Sequence, residues 1–222
     1  EISCSLVGSE MCIRDRVKIG CGNNMPGYYM YRGGTNPIGR KHTMQESKAT
    51  GYPNDLPVRS YDFQAPIGEF GQINPQYGKL KIQHHFLNAF GDSLGKMHPQ
   101  FQAIELDGRD DTHSLRYGLR TNGQSGYVFV NNYQRHNNLS AHNGVQFVVP
   151  VANGTLTFPH QGLHVPSGSY FILPYNLKIS GNTLTYATAQ LLYQHENTVF
   201  FMALDGIDAV SYTHLRAHET AA

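Results

Sequence analysis

From residue 114 onward the chain repeats one pattern: short runs of alternating apolar and polar residues, broken by turn-forming residues. Leu115, Tyr117 and Leu119 alternate with polar neighbours, Asn122-Gly123 marks a turn, and residues 127–133 form a second alternating run. Successive side chains of a strand point to opposite faces, so alternation with a period of two describes a strand with one buried face. Asn-Gly is the strongest short-range hairpin signal. Further strands are expected at 145–149, 155–158, 169–173, 183–188 and 199–204, with Asn153-Gly154 and Ser180-Gly181-Asn182 between them. Strands and turns at this spacing predict an antiparallel, sandwich-like β domain over residues 113–210.

The first third reads differently. Residues 27–32 are rich in Tyr and Met and are closed by Gly33-Gly34, which predicts a buried strand ending in a tight turn. Residues 35–66 carry Pro37, Gly39, Gly51, Pro53, Pro57 and Pro66 and read as one long loop, a length that is usually functional. A helix follows. Asn74 can cap it, Pro75 suits its first turn, Tyr77, Leu80, His84, Leu87 and Phe90 recur at helical spacing, and Gly91 is its expected stop. Strand, long loop and helix in that order match the last unit of a (β/α)8 TIM barrel, giving an α+β chain with a barrel remnant over 17–95. Residues 96–112 are expected to be a linker, and the acidic residues Glu105, Asp107, Asp110 and Asp111 lack the ligand pattern of a calcium loop and read as solvated.

Residues 1–16 (EISCSLVGSEMCIRDR) and 211–220 (SYTHLRAHET) show no period that continues into their neighbours. Both ends read as translated adapter sequence and are set aside from the fold argument, residues 221–222 with them. That leaves Cys21 alone, so no disulfide framework is expected.

Composition narrows the functional classes. The net charge is +1 with only 15% charged residues, which gives no footprint for nucleic acid or an anionic membrane surface. No apolar run reaches the roughly 20 residues that span a bilayer. Trp is absent, so a sugar-stacking platform would have to be built from the 14 Tyr and 11 Phe. No Gly-x-Ser-x-Gly elbow and no phosphate-binding glycine loop occurs. His84 and His85 are adjacent and so do not share a helix face, and His160 and His164 sit beside Pro159 and Pro166, so neither pair predicts a metal site. No cofactor is expected.

Glycoside hydrolysis needs two carboxyl groups across the scissile bond. Asp62 and Glu69 are the best placed by position, since they flank the loop after the expected strand. Hydrogen bonding to loop backbone, or pairing with an arginine, is the preferred reading for both. Two sequons, Asn138-Leu139-Ser140 and Asn153-Gly154-Thr155, are motifs short enough to recur by chance.

Three segments carry a family resemblance: GYYMYRGGTNP (27–37), TGYPNDLP (50–57) and SYDFQAPIGEFG (60–71). They resemble the end of the catalytic barrel of glycoside hydrolase family 35, the β-galactosidases. LRYGLRTNGQSGYVFVNN (115–132), SYFILPYNL (169–177) and LTYATAQ (184–190) resemble, more loosely, the β domain that follows that barrel. The resemblance implies a retaining β-galactosidase acting on terminal β-galactosyl groups, with one Glu as nucleophile and one as acid/base. It places both on strands preceding the Gly-Gly-Thr-Asn segment, so no residue of this chain is expected to be catalytic and the chain alone is expected to be inactive. It implies that Gly33, Gly34, Asn36, Tyr61 and Phe63 line a galactoside site. Phe63 stands where many members have a second Tyr, which removes one substrate hydrogen bond. It implies a secreted or periplasmic setting for the intact protein. A second reading is a non-catalytic carbohydrate-binding or interaction module displaying Tyr117, Tyr127, Phe129 and Tyr133. Against it stands the simpler account that these aromatics fill the sandwich core.

Overall fold

The computed structural model describes residues 11–37, 51, 59–102, 108, 111–179 and 181–214. The element order is α1 (Met11–Gly20), β1 (Gly34–Thr35), β2 (Ser60–Tyr61), α2 (Pro75–Leu94), β3 (His98–Phe101), β4 (Arg116–Thr121), β5 (Gly126–Asn131), β6 (His142–Val151), β7 (Gly154–Val165), β8 (Tyr170–Ile179), β9 (Asn182–Ala187), β10 (Gln190–His195), β11 (Thr198–Met202) and β12 (Ser211–His214). All ladders between these strands are antiparallel. The chain divides into two compact units, residues 1–15 with 26–82 and residues 16–25 with 83–222.

The second unit is the larger. Its six-stranded sheet has the order β12-β9-β8-β5-β4-β3, and β6-β7 and β10-β11 are separate hairpins. Strand β5 explains the layering. Val128 and Val130 join Phe147, Val149, Phe158, Phe171, Leu173 and Tyr175 in one core, between the sheet and the β6-β7 hairpin. Tyr127 and Phe129 join Ile19, Phe86, Phe90, Leu94, Met97, Ile172 and Leu191 in a second. Because alternate residues point to opposite faces, β5 is buried on both sides, which is why all its residues from Gly126 to Val130 are apolar. The aromatics that motivated a displayed binding surface are therefore largely core. Tyr127 is fully buried, Phe129 is 6% exposed, and Tyr117 packs edge-on against Phe147 at 5.0 Å. Burial pushes the Tyr127 hydroxyl up to about 12, against a smaller opposing effect of its hydrogen bond with Ser93.

Arg120 is fully buried in this unit, and its partners are oxygens of the backbone and of an amide. Its guanidinium donates to the carbonyls of Ile19 (2.7 Å), Leu94 (2.7 Å) and Met97 (3.0 and 3.2 Å) and to Asn24 Oδ1 (2.7 Å). Ile19 and Leu94 lie at the C-terminal ends of α1 and α2. The last carbonyls of a helix have no intrahelical donor and carry the negative end of its dipole. One cation thus satisfies the ends of two helices.

Several expectations are corrected. Residues 27–32 do not form a buried strand. Arg32 makes an isolated parallel bridge to Ile67, and Tyr29 is 65% exposed. A barrel strand is held by ladders on both sides, and one bridge does not substitute for them. The α2 helix does not stop at Gly91 but at Leu94, where Gly95 N closes onto Gly91 O at 2.8 Å. Its buried positions include Leu80, Gln83, Phe86, Phe90 and Leu94, so His84 and Leu87 lie at the margin of the stripe. The linker over 96–112 contains an edge strand, β3, paired with β4. Asp111 is buried rather than solvated, and its Oδ1 accepts from His113 N and Ser114 N at 2.8 and 2.9 Å. Glu105, Asp107 and Asp110 lie outside the described residues. Strand β10 was not expected at all.

Position 16 is not an element boundary, because α1 runs across it. Cys12, Arg16 and Ile19 are buried at helical spacing; an arginine inside the stripe conceals the period. Ser211–His214 pair with β9, since an open sheet edge accepts an extended segment rich in β-formers.

Candidate functional site

The residues singled out by the sequence lie in the first unit, on a two-stranded ribbon. β1 pairs with β2 in the register Gly34↔Tyr61 and Thr35↔Ser60, and Asn36 N donates to Arg59 O at 2.7 Å. The ribbon therefore sets the Gly33–Asn36 segment directly against Ser60–Phe63, two segments more than twenty positions apart in sequence. The intervening residues 38–50 and 52–58, with Glu46, Asp55, His42 and most of the 50–57 segment, lie outside the described residues.

Glycine at 33 is required by space. A Cβ there would stand 3.0 Å from Asp62 Cα, Glu69 N and Tyr61 O, backbone atoms that would have to shift to admit it. At Gly34 a Cβ meets nothing within 4 Å, so its lack of a side chain leaves the ribbon surface open instead.

Two carboxylates organise the loop. Glu69 Oε1 accepts from the Thr35 hydroxyl and Oε2 from the Ser60 hydroxyl, each at 2.5 Å. One side chain thereby pins β1 and β2 to the loop that follows them. Asp62 Oδ1 accepts from Glu69 N at 2.6 Å and Gln72 Nε2 at 3.2 Å, and Oδ2 from Gln64 N at 3.1 Å. Both oxygens of both acids are engaged, those of Asp62 by the loop's own donors and those of Glu69 by the two strands of the ribbon. Asp62 thus takes the backbone hydrogen bonds expected of it from the sequence, whereas Glu69 takes neither loop backbone nor an arginine but two side-chain hydroxyls.

The Asp62 contacts hold an unusual backbone. Phe63 and Gln64 have φ of +46° and +53°, a conformation that non-glycine residues rarely adopt. Asp tolerates and templates such turns by accepting from the backbone two residues on. The result turns the Phe63 ring back onto Tyr61, with centroids 4.8 Å apart at 77°. The Tyr61 hydroxyl also lies 3.5 Å from that of Tyr29. Of the expected site residues, Gly33, Gly34, Tyr61 and Phe63 are thus brought together. Asn36 continues the same strand, and its buried Nδ2 has no hydrogen-bond partner among the described residues.

Sequence reasoning missed the Thr35-Glu69-Ser60 pin and Tyr29. Thr35 and Ser60 are ordinary loop residues until the register places their hydroxyls together. Tyr29 was hidden inside a run read as buried strand. Among the described residues no group of three or more His, Cys, Asp or Glu is arranged to hold a metal ion, and no helix is long and apolar enough to cross a membrane.

Replacing Glu69 by Ala is expected to release the ribbon. Two hydroxyls lose a charged acceptor, a loss of about 1–3 kcal/mol locally. Amide hydrogen exchange at residues 34–36 and 59–61 should quicken by about tenfold or more, with the second unit unchanged. Unaltered exchange at these amides would show that the pin carries no stability.

Over 84 residues, 37% of its length, the chain is 33% identical to beta-galactosidase 6 of Oryza sativa subsp. japonica. The matched stretch covers 8% of the rice protein, so the chain corresponds to a small part of that relative. No protein-family model matches the chain.

Proposed function

We propose that this chain is part of a retaining glycoside hydrolase of family 35, a β-galactosidase, and that Gly33, Gly34, Asn36, Tyr61 and Phe63 line one wall of its galactoside site. The observation that carries the reading is the ribbon register. It draws the Gly-Gly-Thr-Asn and Ser-Tyr-Asp-Phe segments into one surface, with two aromatic rings in edge contact and no side chain at Gly34, the partner of Tyr61 in the ribbon. The partial similarity to a β-galactosidase supports the same reading. Aromatic faces stack on the apolar face of a sugar ring, and the open backbone at Gly34 lets it approach. Residues 17–95 are, in this reading, the closing part of a TIM barrel, whose site lies at the C-terminal ends of its strands.

Chemistry on a β-galactoside would come from two glutamates on strands preceding residue 33, one attacking the anomeric carbon and one protonating the leaving oxygen. Asp62 and Glu69 supply neither role, because the oxygens of Asp62 are committed to the loop and those of Glu69 to the ribbon. Their part is to hold the ribbon and both rings in place.

The purified chain is expected to release no nitrophenol from a nitrophenyl β-galactoside; turnover above the blank would overturn the assignment of roles. Residues 27–95, grafted in place of the matching segment of an intact family 35 β-galactosidase, should retain activity. Tyr61→Ala in that graft should lower kcat/KM by about tenfold, the scale of one lost aromatic contact. A graft that folds yet shows no effect of Tyr61→Ala would remove Tyr61 from the site. The binding-module reading has no observation in its favour, since Tyr127 and Phe129 are inside the core.

A further inference from the structure

Three Asn-Gly pairs occur in the β unit, Asn122-Gly123, Asn143-Gly144 and Asn153-Gly154. In such a pair the Gly nitrogen can attack the Asn side-chain carbonyl carbon, because no Cβ on the following residue obstructs the approach. The three share the same chemistry but not the same surroundings. Asn122 Oδ1 accepts from Gln124 N and Ser125 N, both at 2.9 Å, and Gly123 N donates to the Thr121 hydroxyl at 3.0 Å. Both the electrophile and the nucleophile of that pair are therefore tied down. Asn143 lies inside β6, and its Oδ1 is 2.5 Å from His164 Nδ1 across the hairpin. Asn153 stands in the turn between β6 and β7, is exposed, and makes no side-chain hydrogen bond among the described residues. Gly154 belongs to the terminal pair of the β6-β7 ladder, Val151↔Gly154, and ladder ends open first.

We propose that Asn153 is a site of spontaneous, fold-directed modification, closing to a succinimide and then opening to aspartate or isoaspartate, while the fold protects Asn122 and, to a lesser degree, Asn143. The step balances without an oxidant or reductant. Base removes the Gly154 N–H proton, and the Gly154 nitrogen bonds to Asn153 Cγ. The Cγ–Nδ2 bond breaks and ammonia leaves with that proton. Water then opens the ring at either carbonyl. The product replaces a neutral amide by a carboxylate at the tip of the hairpin that covers one core, and the isoaspartate form lengthens the turn backbone by one methylene.

The test uses the full chain produced in a bacterial host, so that the Asn153-Gly154-Thr155 sequon carries no glycan. Folded protein is held at mildly alkaline pH, and peptide mass spectrometry follows the exchange of NH2 for OH at each of the three pairs. A parallel sample is held in denaturant. In denaturant the three should convert at similar rates, since each Asn is followed by Gly. In the folded chain Asn153 should convert about tenfold or more faster than Asn122, the effect of first releasing ordinary hydrogen bonds at the latter, with Asn143 between them. Conversion of Asn122 or Asn143 as fast as Asn153 in the folded chain would overturn the proposal. So would an unchanged Asn153 in folded chain whose denatured control converts.

Discussion

Replacing Arg120 by Met is expected to destabilise the β unit by about 3 kcal/mol. The methionine fills much of the same space but donates nothing. The carbonyls of Ile19, Leu94 and Met97 then stay buried without the donor they now share. Each such orphan costs about 1–3 kcal/mol, and removal of a buried charge gives part of that back. Burial lowers the Arg120 pKa, yet a guanidinium remains protonated throughout the ordinary range, so the anchor should be insensitive to pH where carboxylates and histidines titrate. The measurement is the urea midpoint at constant slope, with Arg120→Lys as a second variant. Lysine keeps the charge but lacks the planar fork that reaches three carbonyls, so it should recover only part of the loss. A Met variant as stable as the parent would show that the two helix ends find water or one another instead.

Phe147→Ala should cost about 3–5 kcal/mol through the cavity it leaves. Phe147 is fully buried on β6, edge-on to Tyr117 at 5.0 Å and 5.8 Å from Phe158. It belongs to the core between the hairpin and the sheet, whereas Arg120 anchors the helices on the other face. Phe147→Leu keeps most of the volume and should cost about 1.5 kcal/mol or less. The two sites share no partner, so the Arg120→Met and Phe147→Ala effects should add in the double variant. A midpoint for Phe147→Ala near that of the parent would mean that the hairpin does not bury its face against the sheet.

What could be read from the chain follows from range of interaction. Strands β4 to β9 and β11 were found near their expected positions because alternation and Asn-Gly turns are local signals. α2 was found, although its end ran past Gly91, because a helix interior tolerates glycine when Phe90 and Leu94 have a core to face. Strand β3 was hidden because it is an edge strand, exposed along its whole length and containing Pro99, so it carries no apolar alternation. Strand 27–32 was expected where only a bridge exists, because a run of Tyr and Met looks the same whether or not neighbours pair with it.

At the candidate site the sequence singled out Gly33, Gly34, Asn36, Tyr61 and Phe63, whose two segments the ribbon register sets side by side, and it anticipated backbone hydrogen bonds to Asp62. It could not show that Glu69 takes the hydroxyls of both Thr35 and Ser60, because those residues meet only through pairing of β1 with β2.

By itself, then, the order of residues determined the repeating strands, their turns, the helix start at Asn74-Pro75 and the glycine-rich and aromatic segments of the candidate site. These depend on periods of two or 3.6 residues and on turn chemistry spanning a few positions. Only the tertiary structure decided that β5 is buried on both faces, that one arginine ends two helices and that one glutamate locks a ribbon. Arg120 meets partners as far as 101 positions away, and Glu69 meets one 34 positions away. No local period encodes such a pairing, because it exists only once the layers have packed and water has been excluded from the groups that must then bond to one another.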